Sequence, residues 1–220
     1  MNYHIEFDLD FKRNTYPGKL IALEGVDGSG KTIQTHLLAK ALKKKGKKVF
    51  LTKNPTDGPL GKFIRKALQG KVDLPLVSFQ YLFSADRQIQ QLEIIEHLKK
   101  GEVVISDRYY WSSVAYGIAD KEGINYEDTV KLEMIAQSVL SMYNQFIVPD
   151  ITFYLDVSIK TGLSRRHDTD KEKELYENTG KLVKIKEGYD WLLEQYPKEF
   201  IKINGERSIE EVQTDLFKNL

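Results

Sequence analysis

Short apolar runs alternate with longer stretches of helical period along the chain. The runs at 20–23 (LIAL), 49–52 (VFLT), 103–106 (VVIS), 151–155 (ITFYL) and 200–203 (FIKI) are brief and largely apolar, the pattern of strands covered on both faces. Between the first two, residues 32–45 place Leu37, Leu38, Ala41 and Leu42 at helical spacing and close on a basic run before Gly46, a helix stop. Further amphipathic stretches lie at 76–99, 126–143, 176–195 and 208–219. This alternation predicts an α/β fold with a parallel sheet of five strands, right-handed crossovers and helices on both faces. Ligands of such sheets sit beyond the carboxyl ends of the strands. The distinctive residues fall there: 25–32 after the first run, 53–58 after the second, 107–108 after the third.

Composition narrows the class. The chain has 220 residues, enough for one domain with a proper core, and 41% of them are hydrophobic. Thirty-three Lys and Arg against 32 Asp and Glu give a net charge of +1, without the basic excess expected of a nucleic-acid or membrane surface. There is no cysteine, which removes disulfides, thiol catalysis and Cys-ligated metals and is compatible with a cytoplasmic location. No apolar run approaches the ~18 residues of a membrane span. Residues 1–18 are mixed in charge, end in Pro17-Gly18 and lack the pattern of a secretory signal, so they read as a short arm before a single domain at 19–220. The stretch 167–180 (HDTDKEKELYENTG) is highly charged and carries one aromatic residue. It reads either as a solvated helix–loop–helix or as a mobile lid.

Candidate chemistry begins at LEGVDGSGKTIQ, residues 23–34, which contains G-x-x-x-x-G-K-[ST], a phosphate-binding loop. Backbone N–H groups over Gly25, Val26, Asp27, Gly28, Ser29 and Gly30 would cradle phosphate oxygens, helped by the positive end of the following helix. Lys31 would reach the β- and γ-phosphates and Thr32 would ligate Mg²⁺ through its hydroxyl. Asp27 stands out, because a carboxylate beside a triphosphate is electrostatically awkward. It is either a turn residue facing solvent or an acceptor for a sugar hydroxyl of a second substrate.

The loop alone does not name a reaction. A guanine-reading N-K-x-D or T-K-x-D is missing after any later strand; Thr52-Lys53 is followed by Asn54-Pro55. The acidic strand end at Asp107 resembles that of a motor ATPase, yet it continues directly into Arg108, which suits an acceptor that is itself a phosphate. In LFSADR, residues 82–87, Phe83 and Arg87 are four apart and share a helix face. They read either as core and surface cation or as a base-stacking ring and a donor to the base edge. YYWSSVAY, residues 109–116, is crowded with aromatics, with Tyr110 and Trp111 read as packing residues.

Taken in order, EGVDGSGKTIQ, TKNPTDGPLG, LFSADR, SDRYYWSSVAY, PDITFYLDV and LYEN resemble the thymidylate kinase family over roughly residues 19–216. The resemblance implies a P-loop NTPase fold and ATP-dependent transfer of the γ-phosphoryl group to dTMP, giving dTDP, with Mg²⁺. It implies a homodimer packed through the long helices, beside the expectation from charge and hydropathy of no nucleic-acid partner and no membrane. By position, Phe83 would stack on thymine and Arg87 would bond its edge. Arg108 would hold the acceptor phosphate, with Asp107 close to the reacting phosphates and metal. Asp27 would take the 3′-hydroxyl, and Tyr116 would sit beneath the sugar and disfavour ribose. Lys53 would meet the acceptor phosphate.

Departures from the family pattern are specific. Lys53-Asn54-Pro55 stands where Arg-Glu-Pro is usual, Gly117 where Gln is frequent, and Ile33 where Thr is common. Some members carry an Arg in the phosphate loop, but this chain has Gly28 and Ser29. The usual lid Arg aligns with Leu175, which leaves Arg165 and Arg166 as the chosen catalytic cations, with Lys171 and Lys173 as further candidates. The changes at 53–54 and 117 motivate an alternative, a kinase for another pyrimidine nucleotide or a deoxynucleoside. The displaced lid cation motivates another, a weakly catalytic nucleotide-binding regulator.

Overall fold

The computed structural model of the chain describes residues 8–120, 129–167 and 179–220. In chain order the elements are β1 (Lys12–Arg13), β2 (Lys19–Glu24), α1 (Lys31–Lys44), β3 (Val49–Lys53), α2 (Pro59–Leu68), α3 (Leu76–Lys99), β4 (Val103–Asp107), α4 (Tyr110–Ala119), α5 (Thr129–Leu140), β5 (Ile147–Val148), β6 (Ile151–Asp156), α6 (Ile159–His167), α7 (Thr179–Gln195), β7 (Ile201–Asn204) and α8 (Ile209–Lys218). All five expected strands form one parallel sheet in the order β3-β4-β2-β6-β7.

Alternation along β2 explains why both faces are covered. Leu20 and Ala22 join one core with Val104, Tyr154 and residues of α3, α4, α5 and α7. Ile21 and Leu23 join the other, with Ile105, Phe153, Leu38 and Ala39 of α1, and Val212 and Leu216 of α8. All four β2 side chains are at most 1% exposed, and burying each large one contributes about 1.5–3 kcal/mol. After β2 the chain builds outward to β3 and returns through β4, then crosses to β6 and β7 on the other side. That reversal makes the carboxyl ends of β2 and β4 the switch point, where Leu23 pairs with Asp107 and Lys53 with Asp107.

Three helices lie beyond the sequence expectation: α2, α4 and α6. The arm also differs from expectation. Its described residues are not a simple lead-in, since Lys12–Arg13 pairs in parallel with Ile147–Val148 as a separate two-stranded sheet. Phe11 stacks on Tyr110 with centroids 6.0 Å apart, and the Arg13 guanidinium donates to Glu199. Most of the expected lid, residues 168–178 including Leu175 and both candidate lysines, lies outside the described residues. Among the described residues no helix is long and apolar enough to cross a membrane.

Candidate active site

The phosphate loop runs from the end of β2 into α1. Ser29 N–H donates to Val26 O at 3.2 Å, tightening the turn, and Gly30 caps the helix at φ 94°, a conformation glycine adopts at little cost. No acidic residue occupies the first turn of α1, so its positive end is left to an anion. Lys31 opens that helix and folds back over the loop, donating to Val26 O at 2.8 Å and Ser29 Oγ at 3.3 Å. Burial and, after it, the Arg108 charge lower its amine to a pKa of about 8, against the opposing pull of Asp27, Asp107 and Glu24.

Gly28 explains why the loop has no arginine there. Its φ is 79°, and a Cβ would lie 2.0 Å from the backbone oxygen of Gly162. Helix α6 therefore rests directly on the loop, glycine against glycine. A side chain at position 28 would have to push α6 away.

Thr32 Oγ1 donates to Asp107 Oδ2 at 2.5 Å, joining the loop to the end of β4. A hydroxyl and a carboxylate converging beside a phosphate cradle are hard oxygen donors. They fit Mg²⁺, which is held by one or two carboxylates together with substrate phosphates.

On the other side of the loop three residues named from the sequence meet. Arg108 forms an ion pair with Asp27, and its Nη1 donates to Gly25 O at 3.0 Å and Ser112 Oγ at 3.1 Å. Tyr116 Oη lies 3.3 Å from Asp27 Oδ2, and its ring carries the Arg108 guanidinium 5.2 Å from the centroid. Asp27 thus does not simply face solvent. Arg108 itself has φ 69°, a backbone strain in a non-glycine residue.

What holds that strain is Glu24, a residue the sequence reading passed over. It is fully buried at the end of β2. Oε1 accepts from Tyr109 N at 2.9 Å and Ser112 N at 3.2 Å, capping the N-terminus of α4, and Oε2 accepts from Ser112 Oγ and from Tyr189 Oη at 2.8 Å. The only sequence signal was an acid in an otherwise apolar run. Its partners lie 85 to 165 residues away.

Phe83 and Arg87 lie on α3, the guanidinium 5.4 Å from the ring centroid. Arg87 is not a surface cation, because it is 2% exposed. It donates to Asn54 Oδ1 at 3.2 Å, Ser113 Oγ, Tyr143 Oη at 3.2 Å and Tyr109 O at 3.0 Å, so four of its five N–H groups are engaged. Asn54 in turn donates to Gln90 Oε1 at 2.9 Å. The departure at 54 therefore gives Arg87 a neutral amide as partner. Lys53, at the end of β3, is half exposed and pairs with Asp57 at 3.0 Å. Arg165 Nη1 donates to Gly205 O at 2.9 Å, which ties α6 to the β7–α8 turn. Arg166 lies in α6, and its side chain falls outside the described residues. Tyr110 and Trp111 are buried packing residues, as read from the sequence.

A family model described as thymidylate kinase matches residues 23–216. The chain belongs to the thymidylate kinase family. A probable thymidylate kinase of Thermococcus onnurineus is 35% identical over 206 residues, covering 89% of this chain and 94% of that one. One from Methanocaldococcus jannaschii is 37% identical over 197 residues, covering 89% and 92%. The solved structure of thymidylate kinase from Candida albicans superposes with a TM-score of 0.79 at 26% identity, over 94% of this chain and 92% of that one. Residues 8–18 of the arm lie outside the stretch that the thymidylate kinase model matches.

Proposed function

We propose that residues 25–32 face two substrates at once, with ATP on the Lys31–Thr32 side and dTMP on the Asp27 side. Family membership makes the reaction ATP-dependent phosphorylation of dTMP. The observation that carries the allocation of residues is the Asp27–Arg108–Tyr116 cluster, attached to the phosphate loop through Gly25 O.

In this reading the α1 N-terminus, the loop N–H groups and Lys31 bind the triphosphate. Thr32 and Asp107 would hold Mg²⁺, which when bound neutralises β- and γ-phosphate oxygens. Arg108 holds the acceptor phosphate, and the strained backbone held by Glu24 aims it there. Asp27 accepts from the 3′-hydroxyl, and the Tyr116 ring fills the space a 2′-hydroxyl would need. Phe83 stacks on thymine while Arg87 presents its fifth N–H to the base edge. Lys53 adds a point charge near the acceptor phosphate. The Arg165–Arg166 pair at the end of α6 supplies the cation that the loop cannot carry at position 28. An acceptor phosphate is already ionised at neutral pH, so positioning and charge neutralisation suffice without a strong base. We place the enzyme in the cytoplasm as a homodimer through the apolar stripe on α3 (Val77, Tyr81, Ile89, Leu92), each side chain more than half exposed.

The test of the allocation is Arg108→Ala. Steady-state kinetics are expected to show the KM for dTMP raised by ~100-fold, about 3 kcal/mol for a lost charged partner, with the KM for ATP changed less than about threefold. Equal losses for both substrates contradict the role.

A further inference from the structure

Helix α3 carries Gln80 three residues before Phe83 and seven before Arg87, so the three side chains project from one face. Gln80 is 8% exposed, and neither its Oε1 nor its Nε2 has a hydrogen-bond partner among the described residues. Gln34, the other buried glutamine with an unmatched atom, differs, because its nitrogen donates to Ile209 O. A buried amide unmatched at both ends destabilises the protein, and leucine or methionine would fill the same space without that cost. The amide must therefore find its partners in another state of the molecule.

Its surroundings indicate which state. Gly117 of α4 faces it: a Cβ at 117 would come within 3.3 Å of Gln80 Nε2 and 3.6 Å of its Cδ. Gly117 directly follows Tyr116, whose hydroxyl and ring contact Asp27 and Arg108. The amide thus lies in the contact of α3 with α4, one residue along α4 from Tyr116 and on the α3 face that carries Phe83 and Arg87.

We propose that Gln80 reads the base of the acceptor, its carboxamide pairing with the imide edge of a keto pyrimidine. Oε1 accepts from N3–H and Nε2 donates to the adjacent carbonyl oxygen. The complementarity is one donor and one acceptor on each side, so the pair closes without an orphan group. Arg87 completes the selection. A guanidinium only donates, so it favours a carbonyl over the amino group that cytosine would present. The inference rests on dTMP as the acceptor.

The experiment compares wild type, Gln80→Leu and Gln80→Met, with dTMP and with dTMP methylated at N3, and records the Tm of the nucleotide-free proteins. Both variants are expected to melt at or above the wild-type temperature, because the unmatched amide is gone. Their KM for dTMP is expected to rise ~10-fold or more with the KM for ATP within about twofold. The wild-type preference for dTMP over its N3-methyl analogue is expected to shrink in the variants by a similar factor. An unchanged dTMP KM, or a lowered Tm with that preference intact, overturns the proposal and leaves Gln80 a packing residue. If neither variant folds, the wild-type enzyme decides: equal use of dTMP and its N3-methyl analogue overturns the proposal. Wild type that prefers another acceptor base overturns the dTMP reading and this inference together. Wild type active on dTMP with indifferent variants overturns this inference alone.

Discussion

Lys31 shows what the site costs the fold. Its amine is buried and shifted down to about 8, chiefly by burial. The folded value lies below the ordinary lysine value of 10.5, so between pH 8 and 10.5 the unfolded chain binds more protons and stability rises with pH. Below pH 8 the cost of the buried charge is present in full. Lys31→Met is therefore expected to abolish turnover yet raise the Tm of the nucleotide-free protein at pH 7 by ~5 °C. Differential scanning calorimetry checks this, and a lowered Tm contradicts it. ATP affinity of the wild type, followed by calorimetry, is expected to fall as pH is raised through about 8, because the amine that meets the phosphates loses its charge. Lys31 was legible in the sequence because its motif is contiguous. Glu24 and Gln80 were not, because a single polar letter in an apolar pattern carries no sign of partners brought by folding.

At the scale of elements, the strands were legible because each is covered on both faces and reads as an uninterrupted apolar run. Helix α4 was not, for the same reason: nine of its ten residues are buried, so it has no polar face to give a period. Helix α2 shows a Gly58-Pro59 start that reads equally as a turn. The arm was read as a lead-in because two-residue strands leave no pattern. Its position has a consequence. Phe11 stacks on Tyr110, Tyr110 stacks on Tyr143 at 6.0 Å, and the Tyr143 hydroxyl meets Arg87 and Ser113. The arm thus braces the back of the Arg87 cluster. Phe11→Ala is expected to cost about 2 kcal/mol, lowering Tm by ~4–8 °C. The KM for dTMP is expected to rise a few-fold, with that for ATP unchanged. A Tm drop with both constants unchanged would make the arm a stabiliser only.

At the scale of the whole molecule, the sheet turns a linear order of motifs into two half-sites across one loop. The loop meets Asp107 through Thr32 and Arg108 through Asp27, so in the reading proposed above consecutive residues at the end of β4 serve different substrates. The exposed side chains Val77, Tyr81, Ile89 and Leu92 run along one face of a 24-residue helix whose other face lies in the core. Such an apolar stripe fits a partner surface, and a second copy presents the same stripe. Leu92→Glu is expected to convert a species of twice the 25.4 kDa chain mass into the monomer in sedimentation equilibrium. A wild type that sediments as a monomer at micromolar concentration contradicts the dimer.

In the proposed reading Asp27, Phe83, Arg87, Arg108 and Tyr116 take dTMP. The most direct measurement is ADP release with ATP and Mg²⁺, across dTMP, dUMP, UMP, dCMP and thymidine. The highest kcat/KM is expected for dTMP. UMP is expected to be penalised against dUMP by the Tyr116 ring, and thymidine, which brings no phosphate to Arg108, to be turned over little or not at all. A best acceptor other than dTMP, or thymidine used as well as its monophosphate, would contradict that reading.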